Sequence, residues 1–337
     1  LADVKVETDL AGIKSDLPAP LGKDAASAIP LRFERTAVAA DQDRISVSYG
    51  NVVAARIERA GKKPAVTRGT VSFGAPAPQP RRDGVWVSGT LPELDLDRWL
   101  DILDQFPGSS QPALAGIDVK IGALDAVQHR FTNLSIQATQ QGGDWRAQLA
   151  GPELVGSVNW RSASGGKLTA RMQKLTVPPA NPKPATAAAD NAKRSNYPAI
   201  DLIADDFLVK NRHLGQLQLE AVPQGSDWRI DKLLLDNPDG ALTINGVWHG
   251  NPVHPHTDVK VNLDVGDIGK FLTRLGYPDG VSHGTAKLSG PLSWNGFVED
   301  IDYPSLSGQL TLHAANGQFV KMKPGIGKLL GILSLQA

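Results

Sequence analysis

LDVGDIGKFLTRLGYPDGVSHGTAKLSGPLSW, residues 263–294, is the stretch whose reading decides the fold. Ile268, Phe271, Leu272 and Leu275 fall at i, i+3, i+4 and i+7, a spacing that lines up four apolar side chains on one helix face. Asp264 or Asp267 can cap that helix, because a short carboxylate accepts the free N–H groups of a first turn. Gly276 suits the left-handed position after the last turn. Tyr277-Pro278-Asp279-Gly280 then turns the chain. Residues 285–288 and 292–294 read as short strands, with Asn295-Gly296 as a hairpin turn. The pattern predicts a short amphipathic helix near 267–275 set into a run of antiparallel strands. A helix this short cannot cover a large sheet, so it is expected to plug or cap one end of it.

Residues 94–106 (LDLDRWLDILDQF) follow the same logic. Leu96, Trp99, Leu100 and Leu103 again lie at i, i+3, i+4 and i+7, with Asp95 or Asp97 as cap and Pro107-Gly108 as stop. Asp95, Asp97, Asp101 and Asp104 read as capping plus a solvated face. A second repeat joins strands. Leu134, Ile136 and Asp144-Trp145-Arg146 recur 83 residues later as Leu217, Leu219 and Asp227-Trp228-Arg229. In both copies Gln and Gly precede the Asp-Trp-Arg and mark a hairpin, which suggests a sheet extended by similar hairpins.

Elsewhere apolar and polar residues alternate in short segments from Val4 onward, as half-buried strands do. The proline-rich loop 75–83 is expected to be mobile. Residues 1–176 read as one β-groove segment and 197–337 as its continuation. Between them residues 177–196 form a Pro/Ala-rich loop without periodicity, expected to be disordered. A third, strongly apolar helix is expected near 325–335, docked on a sheet end or touching lipid.

Composition excludes several functions. Lys plus Arg and Asp plus Glu number 35 each, so no charge excess points to nucleic acid or an acidic substrate. Cysteine is absent, which removes disulfides, thiolate nucleophiles and cysteine-ligated metals. No run approaches the ~20 apolar residues of a membrane helix. The chain opens at Leu1 without a signal peptide, so a mature form or a fragment is expected. None of the nucleophile-elbow, zinc-protease, Walker A or dinucleotide motifs occurs. The acidic pairs Asp205-Asp206 and Glu299-Asp300 read as solvated turns. His254 and His256 lie close with His249 upstream, but prolines 252 and 255 make this a loop with no regularly spaced carboxylate. No catalytic residue, metal or cofactor is therefore expected.

The recurring feature is one-sided strands: about twenty of them against three helix candidates. An apolar sheet face must be covered by another sheet, by helices or by a ligand. Two architectures remain, a sandwich or barrel with a dry core, and a curved sheet whose apolar face stays partly open to hydrocarbon. In the second, Val119, Ile121, Leu134, Ile136, Leu217, Leu219, Leu242, Ile244, Val261, Leu288, Leu310 and Leu312 would line one shared trough.

The segments DLPAPLGK (16–23), LDLDRWL (94–100), YPAIDL (197–202), residues 263–294 and GQFVKMKPGIGKLLGILSLQA (317–337) resemble, in order, the C-terminal portion of YhdP-type proteins. These belong to the AsmA-like group that also includes TamB. The resemblance implies a long curved antiparallel sheet forming an open, taco-like hydrophobic groove in the Gram-negative periplasm. It implies phospholipid acyl chains as cargo, carried between the inner and outer membrane, and an inner-membrane anchor, expected to lie outside this chain. The alternatives are an envelope scaffold or outer-membrane assembly factor that binds protein partners through exposed strand edges, and an enzyme acting on an envelope glycan or lipid.

Overall fold

Segments of alternating polarity become strands throughout the computed structural model, which describes residues 3–104, 114–179, 197–210, 212–250, 255–278, 280–296 and 301–319. Nineteen strands and two α-helices lie among them, and the fold is mainly β as expected.

The first nine strands are β1 (Val4–Thr8), β2 (Leu31–Ala39), β3 (Gln42–Tyr49), β4 (Val53–Ala60), β5 (Ala65–Phe73), β6 (Gly84–Asp95), β7 (Leu114–Ala126), β8 (His129–Gln141) and β9 (Asp144–Ala150). β10 (Leu154–Arg161) follows, and the division between two compact units, Leu1–Ser157 with Pro178–Pro182 and Val158–Val177 with Lys183–Ala337, falls within it.

In the first unit each strand from β1 to β9 pairs with its sequence neighbour. The ladder is antiparallel except at β5–β6 and β6–β7, which are parallel. A parallel neighbour forces the chain to travel back across a sheet face before pairing again. That requirement corrects the reading of residues 75–83 as a mobile loop. Ala75, Pro76 and Ala77 border a cavity shared with Ser46, Ser48 and Arg56. Ala77 is buried, and the Thr70 hydroxyl donates to the Pro78 carbonyl at 2.5 Å.

The second crossover contains α1 (Leu96–Asp104), inside the expected 94–106. Asp95 accepts the Arg98 N–H at 3.0 Å, as a cap should. Asp97 does not sit on a solvated face. It is 4% exposed, and its carboxylate accepts the N–H groups of Val127 and Gln128 at 2.9 and 3.0 Å. Those residues form the two-residue turn between β7 and β8, both left-handed, with φ of 52° and 61°. A buried carboxylate thus holds a β-branched residue in a conformation it disfavours.

The second unit contains β11 (Lys167–Val177), β12 (Ala199–Val209), β13 (Arg212–Gln224), β14 (Asp227–Asn237), β15 (Gly240–His249), β16 (His256–Val265), α2 (Ile268–Arg274), β17 (Val281–Asn295), β18 (Ser307–Gly308) and β19 (Thr311–Phe319). β11–β12 is parallel, and the pairings from β12 to β19 are antiparallel. Asp267 caps α2 by accepting the Lys270 N–H at 3.0 Å, and Gly276 is left-handed with φ 87°. Arg274 ties the helix to the β14–β15 turn through two hydrogen bonds to buried Asp239, at 2.9 and 2.6 Å. α2 therefore stands at the strand ends, where a cap was expected.

The two short strands read at 285–288 and 292–294 are one strand, β17. The interruption lies in its partner: β18 and β19 follow one register along β17 but break opposite Pro291. Proline has no N–H to give a ladder, and its carbonyl alone accepts, from Gln309 at 3.2 Å.

The 83-residue repeat is larger than the hairpin that revealed it. β6 and β11 begin at 84 and 167, β8 and β13 at 129 and 212, β9 and β14 at 144 and 227. Both quartets run parallel, antiparallel, antiparallel. The two helices are not equivalent: α1 lies in a parallel crossover, whereas α2 joins the antiparallel β16 and β17. Val177 ends β11, and residues 180–196 of the expected loop lie outside the described residues, as does the expected helix near 325–335.

Val127→Gly should stabilise the protein by about 1 kcal/mol, because glycine adopts the left-handed turn without strain. Asp97→Ala should destabilise it by about 1–2 kcal/mol as two turn N–H groups lose their acceptor. Urea unfolding of both variants beside the unmodified chain reads the two effects, and equal signs would contradict this account of the turn.

Candidate functional site

Cross-strand partners share a face, so register converts sequence alternation into continuous rows. In the first unit one row runs Val6–Phe33–Val47–Ala55–Val71–Val87–Ile117–Ala138–Ala147, apolar on every strand from β1 to β9. The row on the opposite face runs Glu7–Arg32–Ser48–Ala54–Ser72–Ser88–Asp118–Gln137–Gln148 and is polar at all but one position. The second unit has Ala170–Leu202–Leu219–Leu233–Ile244–Val261 beside Met172–Ala204–Leu217–Leu235–Leu242–Leu263–Leu288–Leu312. A third row there runs Leu168–Ile200–Ala221–Ile230–Gly246–Val259–Leu292.

In a dry sandwich core such side chains would be buried. Instead Phe33, Val47, Val71, Val87 and Ile117 are half-buried, as are Leu202, Leu219, Leu233 and Ile244, whereas Ala170, Met172, Ala204, Leu217, Ala221, Ile230, Val259 and Val261 in the second unit's rows are buried.

The expected lining residues separate into two groups. In the first unit Val119 pairs with Ile136 and Ile121 with Leu134. Ile121 and Leu134 are each only 2% exposed, in a closed cluster with Leu91, Leu124 and Ala126 near α1. In the second unit Leu217, Leu219, Leu242, Ile244, Val261, Leu288 and Leu312 occupy the rows given above. Leu217 and Val261 are buried, and Leu312 is 43% exposed. Leu310 lies between β18 and β19, against Gly290, whose missing side chain lets the two backbones meet.

Two features of these faces were not anticipated. Trp228, Trp248 and Trp294 close the second unit's apolar face at the strand ends away from α2, with Thr257 between the last two. The three indoles are buried, Tyr197 packs on Trp228 and Trp248 at 5.2 and 5.0 Å, and Trp228 Nε1 donates to the Pro198 carbonyl at 2.9 Å. The repeated Asp-Trp-Arg was the available signal, read only as a turn marker.

In the first unit the end of the face away from α1 holds Asp43, 2% exposed, between two arginines. Arg35 Nε donates to it at 2.6 Å, and Arg59 Nε and Nη2 donate at 2.9 and 2.7 Å. The Arg59 hydrogen bonds, reinforced by Arg35 against the cost of burial, hold the Asp43 carboxyl down to about 2. Three charges on three strands gave no local pattern.

The family model described as YhdP protein matches residues 1–337. No curated protein and no solved structure matches the chain.

Leu219→Asp should leave the second unit folded, because a carboxylate at a half-open position reaches water. Ile121→Asp should unfold the first unit at a cost of several kcal/mol, since no water reaches that site. Near-UV circular dichroism melts of the two variants would reveal a closed face if both collapsed. Asp43→Asn tests the charged end. A carboxyl held at about 2 instead of 3.8 contributes stability that is full above pH 3.8 and lost as pH falls through about 2. The unfolding free-energy gap between the unmodified chain and Asp43→Asn should thus be about 2 kcal/mol near neutrality and shrink several-fold by pH 2. A gap independent of pH would refute this.

Proposed function

The chain belongs to the YhdP family, and we propose that it carries phospholipid acyl chains along the apolar faces of its sheets. In this reading it is a segment of a bridge-like conduit between the inner and outer membrane, working in the periplasm of a Gram-negative envelope. The observation that carries the proposal is continuity: in each unit, rows of half-buried aliphatic side chains cross the ladder without a polar break.

The mechanism is partition rather than covalent chemistry, and we assign no catalytic residue. A two-chain lipid moving through water exposes some thirty methylenes at about 0.8 kcal/mol each, on the order of 20 kcal/mol. An apolar face replaces that exposure with hydrocarbon contact while the headgroup stays in water. Rows two residues apart are about 6.7 Å apart along a strand, so three rows make a band about 13 Å wide between outer centres. One leaflet of a ~30 Å hydrocarbon core is about 15 Å deep. An acyl chain can therefore lie along the strands while the lipid moves across them, from one strand to the next. Aliphatic contacts have no direction and no single deep minimum, which permits sliding and leaves the direction of flow to be set by the supply at either end.

No described helix is long and apolar enough to cross a membrane. A second reading, docking of a protein partner on a strand edge, is favoured by β19. Among the described residues β19 pairs only with β17, and residues 311–318 are exposed.

Lipid extracted from the purified chain and analysed by mass spectrometry should contain diacyl phospholipid. A photoactivatable acyl probe should crosslink at Leu233 and Leu242, and Ile244→Asp should reduce crosslinking on the far side of the substitution at least tenfold with the melt unchanged. Absence of phospholipid together with a stable protein partner on β19 would replace the conduit by the scaffold.

A further inference from the structure

We propose that His249, His256 and Asp258 form a binding site for a divalent transition metal of the zinc type, with Asp227 orienting one of the histidines. The site lies on the polar side of the second unit's sheet, apart from the apolar rows. His249 closes β15 and His256 opens β16, and the two are cross-strand partners, so both rings emerge from one face. Asp258 stands two residues further along β16 and shares that face. The rings stack with centroids 4.4 Å apart.

The geometry converges on one point. Asp258 Oδ2 is 3.4 Å from His249 Nε2 and 3.5 Å from His256 Nε2. One donor atom from each residue falls within 4.8 Å of the others. Tetrahedral zinc with bonds of about 2.0–2.1 Å sets neighbouring ligand atoms roughly 3.3–3.4 Å apart. Two of the three edges are near that spacing, and a small rotation of either ring closes the third.

The far nitrogen of His249 adds an independent argument. Its Nδ1 lies 2.9 Å from Asp227 Oδ2. In the tautomer with its proton on Nδ1, the ring donates that N–H to the Asp227 carboxylate, and Nε2 presents a lone pair toward Asp258. Outer carboxylates fix the tautomer of metal-bound histidines in this way. A neutral Nε2 facing a carboxylate oxygen is two lone pairs in opposition. A cation between them removes the repulsion, and two imidazoles sharing one oxygen suit a metal ion better than two separate protons. Two nitrogens and one oxygen select zinc, copper or nickel over magnesium or calcium. All three side chains keep partial exposure, which leaves access for a water as a further ligand.

In the sequence alone, prolines 252 and 255 and the lack of a regularly spaced carboxylate speak against a metal. Strand alternation supplies that carboxylate at the shortest spacing, His256 to Asp258. A bound ion would fasten β15 to β16, and through Asp227 to β14, beside buried Trp248.

Calorimetric titration of the untagged full chain with zinc chloride near neutral pH tests the site. One zinc per chain is expected, with no uptake of magnesium. His249→Ala and His256→Ala should each weaken binding at least 100-fold, and Asp227→Asn, which touches no metal, 10–100-fold. Zinc should raise the melting temperature of the unmodified chain and of Asp227→Asn at higher concentration, but not that of His256→Gln, the conservative variant should an alanine prevent folding. Absence of saturable zinc binding, or unchanged binding in the His249→Ala/His256→Gln double variant, would overturn the proposal.

Discussion

Cross-strand register is the constraint on which the rest of this structure depends. Side chains alternate faces with a period of two, so a slip by one residue would send every leucine of a strand to the polar side. The rows exist because no such slip goes uncorrected. β14 shows this most clearly. Trp228 and Ile230 share a face with Leu233 and Leu235, although the numbering changes from even to odd between them. A bulge at Asp231–Lys232 absorbs the extra residue. Its neighbours β13 and β15 keep their own alternation, and the apolar face passes through uninterrupted.

Where sequence reading succeeded, the signal was local. Alternation located the strands, and i, i+3, i+4, i+7 spacing with Asp267 and Gly276 located α2 nearly to the residue. Gln-Gly before Asp-Trp-Arg marked both hairpins because two-residue turns demand left-handed backbone, which Gly142, Gly143 and Gly225 supply. Where it fell short, the cause was at a distance. Nothing in residues 75–83 or 96–104 says that the strands on either side are parallel; that is decided by which ladder edge the returning chain meets. The bulge in β14, at Asp231–Lys232, was hidden by the run of three leucines, 233–235, that follows it. Asp97 and Asp43 find their partners on separate strands or turns, so no short window of sequence contains those contacts, whereas His249, His256 and Asp258 lie within ten residues and only the pairing of β15 with β16 shows that they share a face.

The candidate face itself was partly legible. Eleven of the twelve expected lining residues lie on strands, in apolar rows of their own unit. Alternation cannot tell an open row from one sealed at its end, however. Ile121 and Leu134 read like Ile136 and Leu219 but belong to a closed cluster near α1. The units thus combine water-excluded ends, which supply rigidity through close packing, with half-open middles that keep hydrocarbon-like surface accessible.

The near-absence of distant pairings has a consequence for how the molecule comes into being. Within each unit almost every strand is bonded to the strand just before it in the chain. Such a topology asks mostly for short loop closures, with longer ones between β1 and β2 and in the parallel pairs β6–β7 and β11–β12, and the short ones are entropically inexpensive and fast. A chain emerging end-first from a pore can lay down one strand on the last without waiting for its far terminus. Each newly formed edge serves as the template for the next arrival, and the exposed template is never more than one strand wide. Each unit is thereby spared a stage at which the whole of its apolar face stands unassembled in water.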